Sequence, residues 1–246
     1  MTNSDKTSSA RDTILGSIRS HLTSSLPHDE REIASHHARE ALKSDFVAPA
    51  ANGGSLVDLF KESLEAVDGH CVVVRGEAGV VQALTDIIAR LQGTRLKARS
   101  IALSDNPSVE QLVRQVPLEV DELGIAPSSS EVFRFDVGIT SAQAAIAETG
   151  TLVLDATRER HRLVSLVPPV HIAIVAAEKI HETLGQALAE LHNESAEVSP
   201  TITFVTGPSR TADIELTLAI GVHGPQELYV IVDEEPPTEA GDIATG

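Results

Sequence analysis

The sequence predicts an α/β fold: a mostly parallel sheet covered by helices, preceded by an N-terminal helical extension. Two observations carry this expectation. Short apolar runs without internal polar residues alternate with segments of helical period, the pattern of strands buried on both faces. Hydrophobic residues make up 41% of the chain while aromatics make up 2% and Trp is absent, so Ala, Val, Leu and Ile must do the packing. At 246 residues the chain is long enough for one large domain or two small ones.

Residues 1–10 are polar and read as disordered. Ile14, Leu15, Ile18 and Leu22 recur at helical spacing, and a weaker helix over 30–46 carries Ile33, Ala34, Ala38, Ala41 and Leu42 on one side. His36 and His37 are adjacent, so on a helix they point apart and suit solvent better than a metal. These segments form an extension over 1–50, closed by the linker APAANGGS at 48–55. The main domain is expected over 55–233, with an acidic tail over 234–246.

Within that domain Ser55 is positioned to cap a helix to about Val67 that buries Leu56, Leu59, Phe60 and Leu64. Cys71–Val74 reads as a strand, 78–91 as a helix, Ser100–Leu103 as a strand, and Asn106-Pro107 as the start of a helix to about Val116. The second half repeats the alternation: a strand over Val132–Val137, then a helix over Thr140–Ala147 opened by the capping box Thr140 to Gln143. Strands follow at Thr151–Leu154 and Val170–Val175, a helix at 178–192, and strands at Ile202–Val205 and Leu228–Val232. Pro168-Pro169 forces an extended approach to Val170, and His171 reads as a core histidine.

The net charge of −17 argues against nucleic acid and anionic membranes as partners, because both call for clustered Lys and Arg. Cys71 is the single cysteine. It excludes an intramolecular disulfide and a Cys-ligated iron–sulfur or zinc site, and suits a small buried hydrophobe. No apolar run has the length of a membrane span or signal peptide core, so a cytoplasmic location is expected.

Two stretches carry candidate chemistry. The first is FVTGPSRTADIELTLAIGVHGP at 204–225. It reads as strand, turn and helix, a geometry that turns backbone N–H groups towards an anion. Gly207 supplies the turn, Ser209 and Thr211 supply hydroxyls, and Arg210 supplies a guanidinium able to hold a carboxylate or phosphate by two bonds. Asp213 and Glu215 complement a helix dipole or pair with Arg210, and His223 lies between Gly221 and Gly224. The second stretch places Glu148 between a helix and a strand, followed by Thr149, Gly150 and Thr151. A carboxylate there can act as a base, an acyl acceptor or a cation ligand, or simply bond to Thr149 and nearby backbone. A third patch, RERHRLVSLVPP at 158–169, gathers positive charge that suits an anionic ligand or an acidic partner face.

AETGTLVL at 147–154, LVPPVHIAIV at 166–175, GPSRTADIE at 207–215 and GVHGP at 221–225 resemble the signature blocks of the LUD-domain (LutC/YkgG-like) family, in the family's order. The resemblance implies a fold similar to the NagB/RpiA/CoA-transferase group. It also implies a part in oxidation of L-lactate to pyruvate, alongside an iron–sulfur subunit and a Cys-rich subunit. On that basis this chain holds no cofactor, and the iron–sulfur clusters belong to its partners. By resemblance to the wider fold group, Glu148 is the candidate catalytic residue. Thr149, Gly150, Thr151, Gly207, Ser209, Arg210 and Thr211 would hold an anionic ligand, with Asp213 and His223 lining the site. The alternatives are a stand-alone enzyme of CoA-transferase or sugar-phosphate isomerase type using Glu148, and a module that only senses a carboxylate. All place Glu148 and Arg210 in one hollow.

Overall fold

The computed structural model describes residues 15–17, 20, 55–117, 119–158, 161–194, 199–212, 218–220 and 224–235. The chain divides into two units, Met1–Val47 and Ala48–Gly246. In the first, residues 15–17 and 20 are helical and exposed. The rest of the expected N-terminal helices, the linker as far as residue 54 and the tail beyond 235 lie outside the described residues.

The second unit begins with α1 (Leu56–Ala66). Ser55 accepts from the Asp58 N–H at 3.2 Å and the Asp58 carboxylate accepts from the Ser55 N–H at 3.2 Å, a reciprocal cap that satisfies two donors helix geometry leaves open. Then come β1 (His70–Val74), α2 (Gly76–Gln92), β2 (Ser100–Leu103), α3 (Pro107–Arg114) and β3 (Glu122–Ile125). The Asn106 side chain caps α3, accepting from Ser108 N–H at 2.9 Å, with Pro107 where a missing N–H does no harm. The chain continues through β4 (Val137–Ser141), β5 (Ala144–Ile146), β6 (Thr151–Asp155), the single turn α4 (Leu163–Leu166), β7 (Val170–Ala176) and β8 (Ile180–His181). It ends with α5 (Leu184–Glu194), β9 (Ile202–Thr206), β10 (Arg210–Ala212), β11 (Leu218–Ile220) and β12 (Glu227–Asp233).

Six strands form one sheet in the order β1-β12-β7-β4-β2-β3, and every neighbouring pair is parallel. A four-stranded sheet in the order β8-β5-β6-β9 is mixed: β5 runs parallel to β8 and antiparallel to β6, which is antiparallel to β9. β10 and β11 pair as a separate antiparallel ribbon. One face of the large sheet packs on α2 and α3 through Val80, Leu84, Ile88, Val109, Ile101, Ile139, Ile172 and Ile231. The other face meets α1 and the small sheet through Phe60, Leu64, Ala145, Leu152, Leu154, Ala173, Val175, Val230 and Val232. The small sheet's far face is closed by α5, with Ala187 and Leu191 against Ala144, Ile146 and Val153. Among the described residues no helix is long and apolar enough to cross a membrane.

Three sequence expectations are corrected. Val132–Arg134 is a turn of 3-10 helix and the strand is Val137–Ser141, because Val132 and Phe135 plug a gap against Ala102 and Val164 instead of alternating along a ladder. Thr140–Ala147 is not a helix: β4 runs through Ser141, and Ala144–Ile146 pairs with Thr151–Val153. Alanine favours helix intrinsically, but β5 is buried on both faces, between the large sheet and α5. The helix expected from 178 begins at Leu184, because Ile180–His181 first pairs with β5.

His171, on β7, is fully buried. Its Nε2 is 2.9 Å from Thr140 Oγ1, and burial holds its pKa down at about 3 from an ordinary 6.5. The folded state keeps the ring neutral, while the unfolded chain takes up a proton below about pH 6.5. Stability from this residue is therefore present above the unfolded pKa and is lost as pH falls towards 3. His171→Gln, which retains a hydrogen-bonding group, is expected to flatten the dependence of unfolding free energy on pH between 6 and 4 by up to about 1.4 kcal/mol per pH unit. Urea titrations of both proteins at matched pH measure the difference.

Candidate functional site

The turn Ala147–Gly150 joins two antiparallel strands, β5 and β6, rather than a helix and a strand. Glu148 N–H donates to Glu182 O at 3.2 Å, which stitches the turn to the approach to α5. The Glu148 side chain is half-buried, and its Oε2 is enclosed with no hydrogen-bond partner. On the neighbouring strand His181, in register with Ile146, has a buried Nε2 that also lacks a partner.

The turn is tied to the first candidate stretch, 204–225, by a chain of hydroxyls. Thr149 Oγ1 and Thr151 Oγ1 are 2.7 Å apart, and Thr151 Oγ1 and Thr206 Oγ1 are 2.7 Å apart. Thr151 and Thr206 are register partners across β6 and β9. Gly150 and Gly207 both adopt left-handed backbone, with φ 62° and 75°. Both press on the end of α1: a Cβ at 150 would overlap the Ser63–Leu64 backbone, and one at 207 would overlap the Val67 carbonyl. The motifs AETGT and TGPSR therefore meet on the last turn of one helix. A side chain at either glycine meets both a disfavoured φ and a backbone that has no room to yield.

Beyond Gly207 the expected strand–turn–helix is a strand–turn–strand. Arg210–Ala212 forms β10 and pairs with β11, with Thr211 in register with Ala219. Ser209 N–H donates to Pro225 O at 2.8 Å, which brings GPSR beside Gly224-Pro225. Asp213 and His223 lie outside the described residues. The Arg210 guanidinium pairs with the Asp68 carboxylate in a cleft of 440 Å³ lined by Glu65, Asp68, Gly69, His70, Pro208, Arg210, Gln226 and Glu227. Glu148 is not among the residues of that cleft. Three carboxylates there outnumber one guanidinium, so an anion would find Arg210 only after displacing Asp68. Both partners of that pair are exposed, and such pairs contribute about 0–1 kcal/mol.

An adjoining cleft of 360 Å³ is lined in part by His70, Cys71, Arg90 and Tyr229. His70 stacks on Tyr229 with ring centres 4.6 Å apart, and the Tyr229 hydroxyl donates to Glu227 at 2.6 Å. Burial pushes the Cys71 thiol up to about 11, so at neutral pH it is a thiol and a poor nucleophile. Among the described residues no group of three His, Cys, Asp or Glu could hold a metal ion. Sequence reasoning missed Asp68, His181 and Thr206. The first sits in an Asp-Gly pair, a local turn signal; the other two are visible only once the strands are paired.

Gly150→Ala and Gly207→Ala are each expected to destabilise the fold by roughly 2–4 kcal/mol, from left-handed strain plus overpacking. Denaturant midpoints measure this, and changes below about 0.5 kcal/mol would contradict the packing on α1.

The LUD domain profile matches residues 57–232. Lactate utilization protein C of Oceanobacillus iheyensis is 28% identical over 188 residues, which cover 70% of this chain and 80% of that protein. A Geobacillus protein of the same name is 42% identical over 190 residues, covering 70% of this chain and 79% of its own. For Lactate utilization protein C 1 of Bacillus mycoides the match is 44% identical over 106 residues, covering 41% of this chain and 44% of that protein. The crystal structure of a DUF162 family protein from Deinococcus radiodurans aligns with a TM-score of 0.52 at 23% identity, over 73% of this chain and 96% of that one, a likeness of fold. With the profile spanning α1 to β12, this chain belongs to the LUD-domain family.

Proposed function

We propose that this protein serves in lactate utilisation, as a subunit of an L-lactate-oxidising system whose iron–sulfur clusters reside in partner proteins. The observation that carries the reading is the relative named lactate utilization protein C, 42% identical over 190 residues. The donor chemistry of the chain agrees with it. One cysteine, half-buried and held as a thiol, gives no set of thiolates for a cluster among these residues, which supports clusters held by partner proteins. The subunit's own contribution is then assembly or the holding of a small anionic ligand, with Arg210 released from Asp68 to receive it. Purified with its iron–sulfur partners, the protein is expected to be required for lactate-dependent electron transfer, and its omission should reduce the rate to background. An unchanged rate without it would remove this reading.

One observation favours a second reading, an acyl-transferring enzyme: the enclosed, unpartnered Oε2 of Glu148. A carboxylate oxygen sequestered without a donor is poised either to attack an acyl carbon or to take a proton. Glu148→Gln is then expected to abolish turnover of a CoA thioester while leaving the unfolding midpoint within about 1 kcal/mol of the wild type. If the wild-type protein binds neither a CoA thioester nor a sugar phosphate in calorimetry, this second reading fails.

A further inference from the structure

α2 packs over β1 and β12 at one edge of the large sheet, and the open cleft of 360 Å³ lies between them. That volume suits a small molecule. His70 and Tyr229 are register partners on β1 and β12, and their rings stack with centres 4.6 Å apart. The Tyr229 hydroxyl is engaged by Glu227, so the pair offers the cleft ring surface rather than a polar handle. Val72, Ala83 and Ile87, all part of the core beneath, complete an apolar floor.

Two charges of opposite sign stand over this floor. Asp86 and Arg90 both line the cleft, both are exposed, and they lie one turn apart on α2. At that spacing an Asp and an Arg are neighbours, about 5–6 Å apart at Cβ, and ordinarily close on one another. Glu110 and Arg114 do so on α3, at 2.6 Å. Asp86 and Arg90 do not. Asp86 accepts from a neutral donor, Gln82 Nε2, at 2.9 Å, and Arg90 has no hydrogen bond or ion pair among the described residues. Arg90 sits in the last turn of α2, where its charge suits the helix dipole without using its donors. On the opposite wall Glu65 of α1 has Lys61 at 4.0 Å, an exposed pair of little strength. A simple anion in this cleft meets the carboxylates of Asp86 and Glu65, and a simple cation meets Arg90. A molecule that carries both charges close together meets neither repulsion.

We propose that this cleft is a binding site for a free α-amino acid with an apolar side chain, its carboxylate on Arg90, its ammonium on Asp86 and its side chain against the His70–Tyr229 stack. The guanidinium fork matches a carboxylate through two N–H bonds. An ammonium has three donors, and the carboxylates of Asp86 and Glu65 only accept. The ligand thus bridges the ion pair that α2 leaves open. Arg210, by contrast, already holds Asp68, so the two clefts differ in what they can take. The inference does not depend on the role in lactate utilisation.

Backbone amide NMR of the full-length protein is followed during titration with L-phenylalanine and with L-leucine. Parallel titrations use the matching amines, phenethylamine and isoamylamine, and the matching acids, 3-phenylpropanoate and 4-methylpentanoate. At least one amino acid is expected to shift the amides of residues 70–72 and 86–90 saturably, and to bind about tenfold or more tightly than either of its half-charged analogues. Arg90→Gln should bring the amino acid down to the affinity of its amine, and Asp86→Asn to that of its acid. Both positions are exposed, so neither substitution threatens the fold. Arg210→Ala, in the adjoining cleft, should leave the affinity unchanged. No saturable shift with either amino acid up to its solubility limit would overturn the proposal. So would shifts confined to other residues, an analogue that binds as tightly as its amino acid, or an affinity insensitive to both α2 substitutions.

Discussion

The contact on which the candidate site depends is the seating of two side-chain-free backbone turns on the last turn of α1. Gly150 and Gly207 lie against Ser63, Leu64 and Val67 more closely than any Cβ permits. Because that approach is so close, β6 and β9 are drawn together at their ends, and Thr151 meets Thr206 directly. The same helix buries Phe60 and Leu64 between the two sheets. A single amphipathic helix thus fixes both the packing of the layers and the position of the turns that carry AETGT and TGPSR. Its start is held by the reciprocal Ser55–Asp58 cap.

A second constraint follows from layering. β5 has the small sheet's α5 on one side and the large sheet on the other, and β4, β7 and β12 are buried almost throughout. Space between two sheets is about 10 Å, and alanine at 142, 145, 147 and 173 fills it without forcing the layers apart. The low aromatic content is the compositional trace of this. Polar groups that enter the layer must find partners inside it, which is what Thr140 and His171 do for one another. His171 Nδ1 still lacks a partner inside the layer, and the other unpaired atoms, at Ser104, Asp105, Glu148 and His181, lie at strand ends and turns.

Electrostatics divide the surface differently. Arg210, which in isolation suggests an anion site, is neutralised by Asp68 and sits among Glu65 and Glu227. In a chain of net charge −17 several guanidinium groups find a carboxylate close by, as Arg75 does with Glu234 and Arg99 with Asp121. A cation in such a protein marks an anion site only when its carboxylate partner can be displaced. The exposure of the Arg210 pair makes displacement inexpensive.

Much of the fold was legible in the residues themselves. The caps at Ser55 and Asn106, the apolar runs at 71–74, 100–103, 170–175 and 228–232, and the helical stripe over 78–91 are local signals, and each element formed where its signal lay. The family was legible as well, because its blocks are contiguous words. What local signals could not decide is which surface each residue meets. AAI at 144–146 became a strand because it is sandwiched, RTA at 210–212 became a strand because β11 lies beside it, and the two short strands β3 and β8 exist only through their neighbours. The same holds for the site: the sequence named Thr149, Gly150, Thr151 and Gly207, but only the three-dimensional packing joined them through Thr206 and α1 and sent Arg210 to Asp68. Secondary structure is written in neighbours along the chain, whereas hydrogen-bond satisfaction is settled by neighbours in space.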